Sequence, residues 1–194
     1  MYKLFKLNYL GLGFILLIVV ESISVGNIPT TKPWTYEFKS ISTSSSNEDL
    51  LKLNFSIERV SRGVYAISGT MDLNYDIVEG DANEVEGRSY RSDNGVNPYK
   101  PLAFQTERHH MFSGLNKEYK EMLMPALSRC SDMPVFEDKF QPPLEKKVYT
   151  LTKCQLDQDE FPQYMSDGFY KGVILGWGTV NYTITFIAQV ETLK

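Results

Sequence analysis

The stretch LKLNFSIE, residues 51–58, decides the fold class. Leu51, Leu53, Phe55 and Ile57 fall on one side of an extended chain and Lys52, Asn54, Ser56 and Glu58 on the other, the period-two pattern of a half-buried strand. Arg62-Gly63 then supplies turn chemistry. Beyond it Tyr65, Ile67, Met71, Leu73 and Tyr75 alternate with Ser68, Thr70, Asp72 and Asn74. Residues 51–78 therefore read as a long antiparallel hairpin with one wet face.

The same pattern recurs along the chain. Trp34, Tyr36 and Phe38 alternate in a short strand that breaks in the polar run 42–49. Val148–Cys154 and Phe169–Trp177 have strand character, and Val180–Glu191 is the plainest strand, with Tyr182, Ile184, Phe186, Ala188 and Val190 on one face. Between them, residues 81–87 read as an acidic turn, residues 88–91 as a strand, and Leu102 with Phe104 as the start of another. Leu115, Tyr119, Met122 and Leu123 recur at helical spacing, and Pro125 limits or kinks that helix. Prolines 134, 142 and 143 mark an irregular, extended segment. The expectation is an all-β domain with antiparallel strands and one short helix.

The N-terminus reads as a leader. Lys3 and Lys6 precede an uninterrupted apolar run from Leu10 to Val20, ended by Glu21 and followed by Ser24 and Gly26. That run is shorter than the roughly 20 residues a membrane-spanning helix needs, and it suits a cleavable signal peptide over residues 1–26. Removing it takes the formal charge from −4 to −5. No basic stripe for a nucleic-acid backbone remains, and residues 27–194 suffice for one domain with a real core.

Export gives meaning to two further features. In an oxidising compartment Cys130 and Cys154, the only cysteines, are expected to form a disulfide rather than stay as two buried thiols. The sequons Asn54-Phe55-Ser56 and Asn181-Tyr182-Thr183 place both asparagines on wet strand faces as glycan sites.

Catalytic signatures are sparse. His109 and His110 are the only histidines, and as neighbours they diverge on a helix or strand, a poor start for a shared metal; Glu107 is the one nearby carboxylate that could join them. Two exposed histidines are expected. There is no G-x-S-x-G elbow. The acidic run at Asp157, Asp159 and Glu160 lacks calcium-loop spacing. Gly172, Gly176 and Gly178 sit in and after a strand, where twist, bulge or close packing explains them better than a phosphate loop. A glycoside-cleaving carboxylate pair leaves no linear signature. Neither cofactor nor metal is expected. The apolar strand faces, Phe55, Ile67, Ile184 and Phe186 among them, suit either a filled core or a hollow one.

From Phe136 onward the chain resembles the insect chemosensory B proteins, which are similar to the ganglioside activator protein and the secreted lipid-recognition (ML-like) β-cups. The resemblance is carried by Pro142-Pro143-Leu144, by Val148-Tyr149-Thr150-Leu151, by Phe161-Pro162-Gln163-Tyr164-Met165-Ser166-Asp167-Gly168-Phe169-Tyr170-Lys171, and by the closing strand to Leu193. It implies an antiparallel β-cup or sandwich over residues 27–194, with a hydrophobic cavity. Phe161, Tyr164 and Met165 would sit near the cavity mouth, and Tyr170 would begin a wall strand. The implied role is a secreted, extracellular, non-enzymatic carrier of lipid, cuticular hydrocarbon or pheromone, acting in contact chemosensation, with a membrane receptor or transient membrane contact as partner. The alternative is a structural or protein-interaction domain with a filled core. One departure stands out, since this chain has no cysteine near Trp34 or Ile184 to tie the first strand to the last.

Overall fold

The computed structural model describes residues 32–156 and 158–193. The expected signal peptide at 1–26 and the first residues after it lie outside the described residues, as does Asp157. Nine strands are described: β1 (Trp34–Ser45), β2 (Leu51–Ser61), β3 (Val64–Leu73), β4 (Glu84–Ser92), β5 (Lys100–Pro101), β6 (His109–His110), β7 (Lys147–Cys154), β8 (Gly168–Trp177) and β9 (Tyr182–Thr192). They form two antiparallel sheets. The larger runs β1-β9-β8-β4-β5, with β6 also on β4, and the smaller runs β2-β3-β7.

The hairpin is present, turning at Arg62-Gly63 with Leu53 opposite Met71 and Ile57 opposite Ile67, and it ends at Leu73 rather than at residue 78. Two other boundaries differ from expectation. The serine run does not break β1, because Ser42 and Ser44 pair with Thr185 and Thr183 of β9, whose ladder satisfies their backbone groups. The acidic stretch at 81–87 is only partly a turn, since β4 begins at Glu84 opposite Trp177. Leu102 and Phe104 lie outside the two-residue β5.

The helix is the largest correction in local structure. Residues 111–127 form one continuous helix, here α1, rather than a short one. It opens with Met111–Gly114, widens into a π-helical stretch Leu115–Leu123, and closes with Met124–Leu127. His110 caps its start, with Nδ1 accepting from the Phe112 N–H at 3.3 Å. Pro125 does not end it. A proline lacks the N–H for an i−4 bond, and here the preceding Met124 N–H already reaches back five residues to the Tyr119 carbonyl, so the widened turn carries the chain past it.

The core gathers at one end of the sheets. Leu51 and Leu73 of the hairpin, Tyr149 of β7, Ile77, Leu144 and Val180 pack with Met111, Phe112, Leu115 and Tyr119 of α1. Aromatic rings fill the remaining space: Phe112 stacks on Phe140 at 5.6 Å and Tyr119 on Phe136 at 6.2 Å. The expected cup with its hydrophobic cavity is thereby corrected. The two sheets are separate and do not close into a barrel, and α1 with the segment after it occupies the end where a hollow would begin.

Two devices hold this arrangement. Cys130, just beyond α1, is disulfide-bonded to Cys154 at the end of β7 with Cα atoms 5.3 Å apart. The flanking chain also shields the β7 edge, where Asp132 Oδ1 accepts from the Thr150 N–H at 2.6 Å and the Thr152 N–H donates to the Cys130 carbonyl at 2.8 Å. The second device is ring-over-glycine packing between β8 and β9. Gly172 lies opposite Phe186 and Gly176 opposite Tyr182, and a Cβ at either glycine would stand 2.2 Å or 2.0 Å from the facing ring. The glycines let the rings lie across the neighbouring strand, the close packing anticipated for them.

Gly172→Ala is expected to lower stability by about 1–3 kcal/mol through overpacking against Phe186. Urea unfolding with an unchanged slope and a lower midpoint is the measurement, and an unshifted midpoint would mean the ring moves aside freely. Replacing both Cys130 and Cys154 by Ser is expected to cost about 3 kcal/mol on loop-entropy grounds.

Candidate functional site

The faces that carry Leu53 and Tyr182 into the core continue away from it. On the hairpin the continuation is Phe55, Ile57 and Ile67; on the larger sheet it is Ile184, Phe186, Ile174 and Tyr170, with Phe38 and Tyr36 on β1. Strand alternation puts all of them on the inner faces. Phe38 is buried, with its ring 6.4 Å from that of Phe186, while the others stay half-buried. The sheets meet beside this region along β1 and β2, where Thr43 Oγ1 donates to the Leu53 carbonyl at 2.9 Å. Half-buried Phe and Ile thus form a row on each of the two inner faces.

The loop between β7 and β8 is tied to the far end of the larger sheet. Trp34 Nε1 donates to the Pro162 and Gln163 carbonyls, both at 3.2 Å, and the Trp34 ring meets Phe161 edge-on at 6.3 Å. Tyr36 Oη donates to the Leu156 carbonyl at 2.9 Å. Asp167 Oδ1 accepts from the Thr192 N–H at 2.7 Å. Within this loop Phe161 turns toward Trp34, Met165 is half-buried, and Tyr164 stands 71% exposed. Tyr170 Oη donates back to the Ser166 carbonyl at 2.9 Å, and the Arg91 guanidinium lies 6.0 Å from its ring.

The residues expected at a cavity mouth thus share the end of the larger sheet remote from α1, with Tyr170 and Phe186 on the adjoining face. Phe55 and Ile67 belong to the smaller sheet, and no ring contact among the described residues joins them to Phe161 or Tyr164. Two depressions, both open to solvent, are lined by residues other than Phe55, Ile67, Ile184 and Phe186. One, about 390 Å³, lies between residues 104–109 and α1; the other, about 310 Å³, lies beside Trp177 and Asn181.

The histidines are half-buried rather than exposed. His110 Nδ1 accepts at the helix cap, so Nε2 carries the proton and donates to the Asp81 carbonyl at 2.8 Å. His109 places Nε2 3.1 Å from Glu118 Oε2, and Glu107 meets His109 through its main-chain carbonyl, not its carboxylate. The described residues contain no group of three or more His, Cys, Asp or Glu placed to hold a metal ion, and no helix among them is long and apolar enough to cross a membrane. Asn54 and Asn181 are both exposed, on the outward sides that alternation predicts.

Buried tyrosines dominate the electrostatics of the core. Burial, with Tyr149 beside it, pushes the Tyr119 hydroxyl up to about 12, and burial next to Tyr75 pushes Tyr182 up to about 12. Their stabilising contribution is complete below the ordinary tyrosine range near pH 10, because both folded and unfolded hydroxyls are then protonated. Above it the unfolded chain ionises first, so stability falls as pH rises from about 10 to about 12. The urea midpoint is expected to drop across that window, with a late fraction of the tyrosine absorbance change at 295 nm. A single titration step near pH 10 for all tyrosines would contradict it.

Residues 85–172, from β4 into β8 and including α1 and both cysteines, match a family described as a protein of unknown function (DUF1091). That span is a little under half of the chain, and the description names no ligand or activity. No curated protein matches the chain.

Proposed function

We propose that this chain is a secreted, non-enzymatic binding protein for small hydrophobic molecules such as lipids, long-chain hydrocarbons or pheromones. The observation that carries this reading is the pair of half-buried apolar rows, Phe55, Ile57 and Ile67 facing inward from one sheet and Ile184 and Phe186 from the other. A well-packed interior leaves few such side chains in contact with water. An apolar ligand lying against them gains burial that the protein alone does not provide. Secretion draws support from the leader-like residues 1–26 and from a disulfide suited to an oxidising compartment. The resemblance to chemosensory B proteins favours contact chemosensation, with the ligand passed to a membrane receptor or taken up during transient membrane contact.

The protein-interaction reading rests on a different observation. The α1 end of the core is filled by stacked rings, while Tyr164 and Phe104 stand 71% and 58% exposed as surface anchors for a partner.

Delipidated protein is expected to bind a hydrophobic fluorescent probe that fatty acids, sterols or long-chain hydrocarbons displace. Phe55→Ser and Ile67→Ser should each weaken binding about tenfold or more, the scale set by losing one large apolar side chain from a contact. Unchanged far-UV circular dichroism would show that the variants fold. Absence of any bound or displaceable ligand across those classes would overturn the carrier reading and favour the interaction domain.

A further inference from the structure

The open depression beside Asn181 lies on the outer face of the larger sheet, opposite the apolar rows. Ser44, Ser46, Leu175, Trp177, Asn181 and Thr183 border it, and it encloses about 310 Å³. Tyr182 turns inward over Gly176, so the residues on either side of it, Asn181 and Thr183, turn outward together. Both recognition residues of the Asn-Tyr-Thr sequon therefore border one depression that also contains an indole ring. Asn54 and Ser56 of the other sequon stand exposed on β2 and border neither of these two depressions.

The site is firmly built. Ser46 Oγ accepts from the Asn181 N–H at 2.9 Å and the Ser46 N–H donates to the Asn181 carbonyl at 2.8 Å. Asn181 Oδ1 accepts from the Gly178 N–H at 3.3 Å, which anchors the amide through its oxygen and leaves Nδ2 as the atom to carry a substituent. The Trp177 ring has the Arg108 guanidinium 4.3 Å from its centroid, and Arg108 Nε in turn donates to Glu84 Oε2 at 2.6 Å. Hydroxyls, one leucine and a held indole make up a surface suited to a sugar ring, whose C–H face lies on the aromatic while its hydroxyls meet the serines.

We propose that this depression seats the first N-acetylglucosamine of a glycan linked to Asn181, with Trp177 as its platform. The proposal rests on the reading that the chain is exported. In the transfer, Asn181 Nδ2 displaces a lipid diphosphate from C1 of the donor oligosaccharide. The Nδ2–C1 bond forms, the C1–O bond breaks, the diphosphate leaves with its electron pair and the amide loses one proton. The donor and its transferase belong to the secretory route. Folding of β8 against β9 then brings the attached sugar onto Trp177.

The test uses the full chain in a eukaryotic secretory host, with Asn54→Gln leaving Asn181 as the one sequon. A glycosylated chain trimmed to its first sugar should melt about 2–4 °C above Asn181→Gln, the shift expected for one modest contact in a domain this size. Trp177→Ala should abolish that difference and Trp177→Phe should retain part of it. Should Trp177→Ala fail to fold, tryptophan emission of the unsubstituted chain should still change between the trimmed and sugar-free forms. Glycan at Asn54 but none at Asn181 in the wild-type chain overturns the proposal, as does an equal melting difference with and without Trp177 or an unchanged emission. Failure of the native leader to export the chain counts against secretion instead, and a grafted leader then decides the sugar site separately.

Discussion

Aromatic packing at one end of the two sheets is the constraint from which the rest of the molecule follows. Phe112 and Tyr119 of α1 stack with Phe140 and Phe136 from the segment that follows it, and this block sits against Leu51, Leu73 and Tyr149. Because interiors pack to near-crystalline density, a block of rings that size leaves no hollow around itself. The apolar rows run on beyond it, where Phe55, Ile67, Ile184 and Phe186 are half-buried.

The other local features serve this division of a filled end and a partly open one. The Cys130–Cys154 bond joins the end of α1 to the edge of the smaller sheet, so the aromatic block and the strands it packs on are one covalent unit. Cys154 lies level with Ile67 and two residues before Leu156, so the same bond also fixes the start of the β7–β8 loop; beyond it polar contacts do the holding, with Trp34 and Tyr36 donating to carbonyls of that loop and Asp167 receiving the Thr192 N–H.

Gly172 and Gly176 show how one sheet serves two faces. Rings from β9 lie over both glycines on the inside, while Leu175 and Trp177 between and after them turn outward beside Asn181. Period-two alternation sends the side chains to the two surfaces in turn.

Strands, their faces and the two exposed sequons were legible from residue order, because alternation is a local property that each strand carries by itself. The cysteine pair was legible as well, since two cysteines allow one bond within the chain. The length of β1 was not, because Ser42 and Ser44 gain strand geometry from partners in β9, far along the chain. Nor was the passage of α1 through Pro125, which depends on a widened turn that spacing does not reveal. Side-chain lists for a filled and a hollow interior are identical, so the sequence by itself determined which residues face inward. Only the tertiary structure decided that α1 and Phe136 to Phe140 enter the space between the sheet ends. It alone brought the serines at 44–46 to the same surface as Trp177 and Asn181, because those contacts join segments separated by more than a hundred residues.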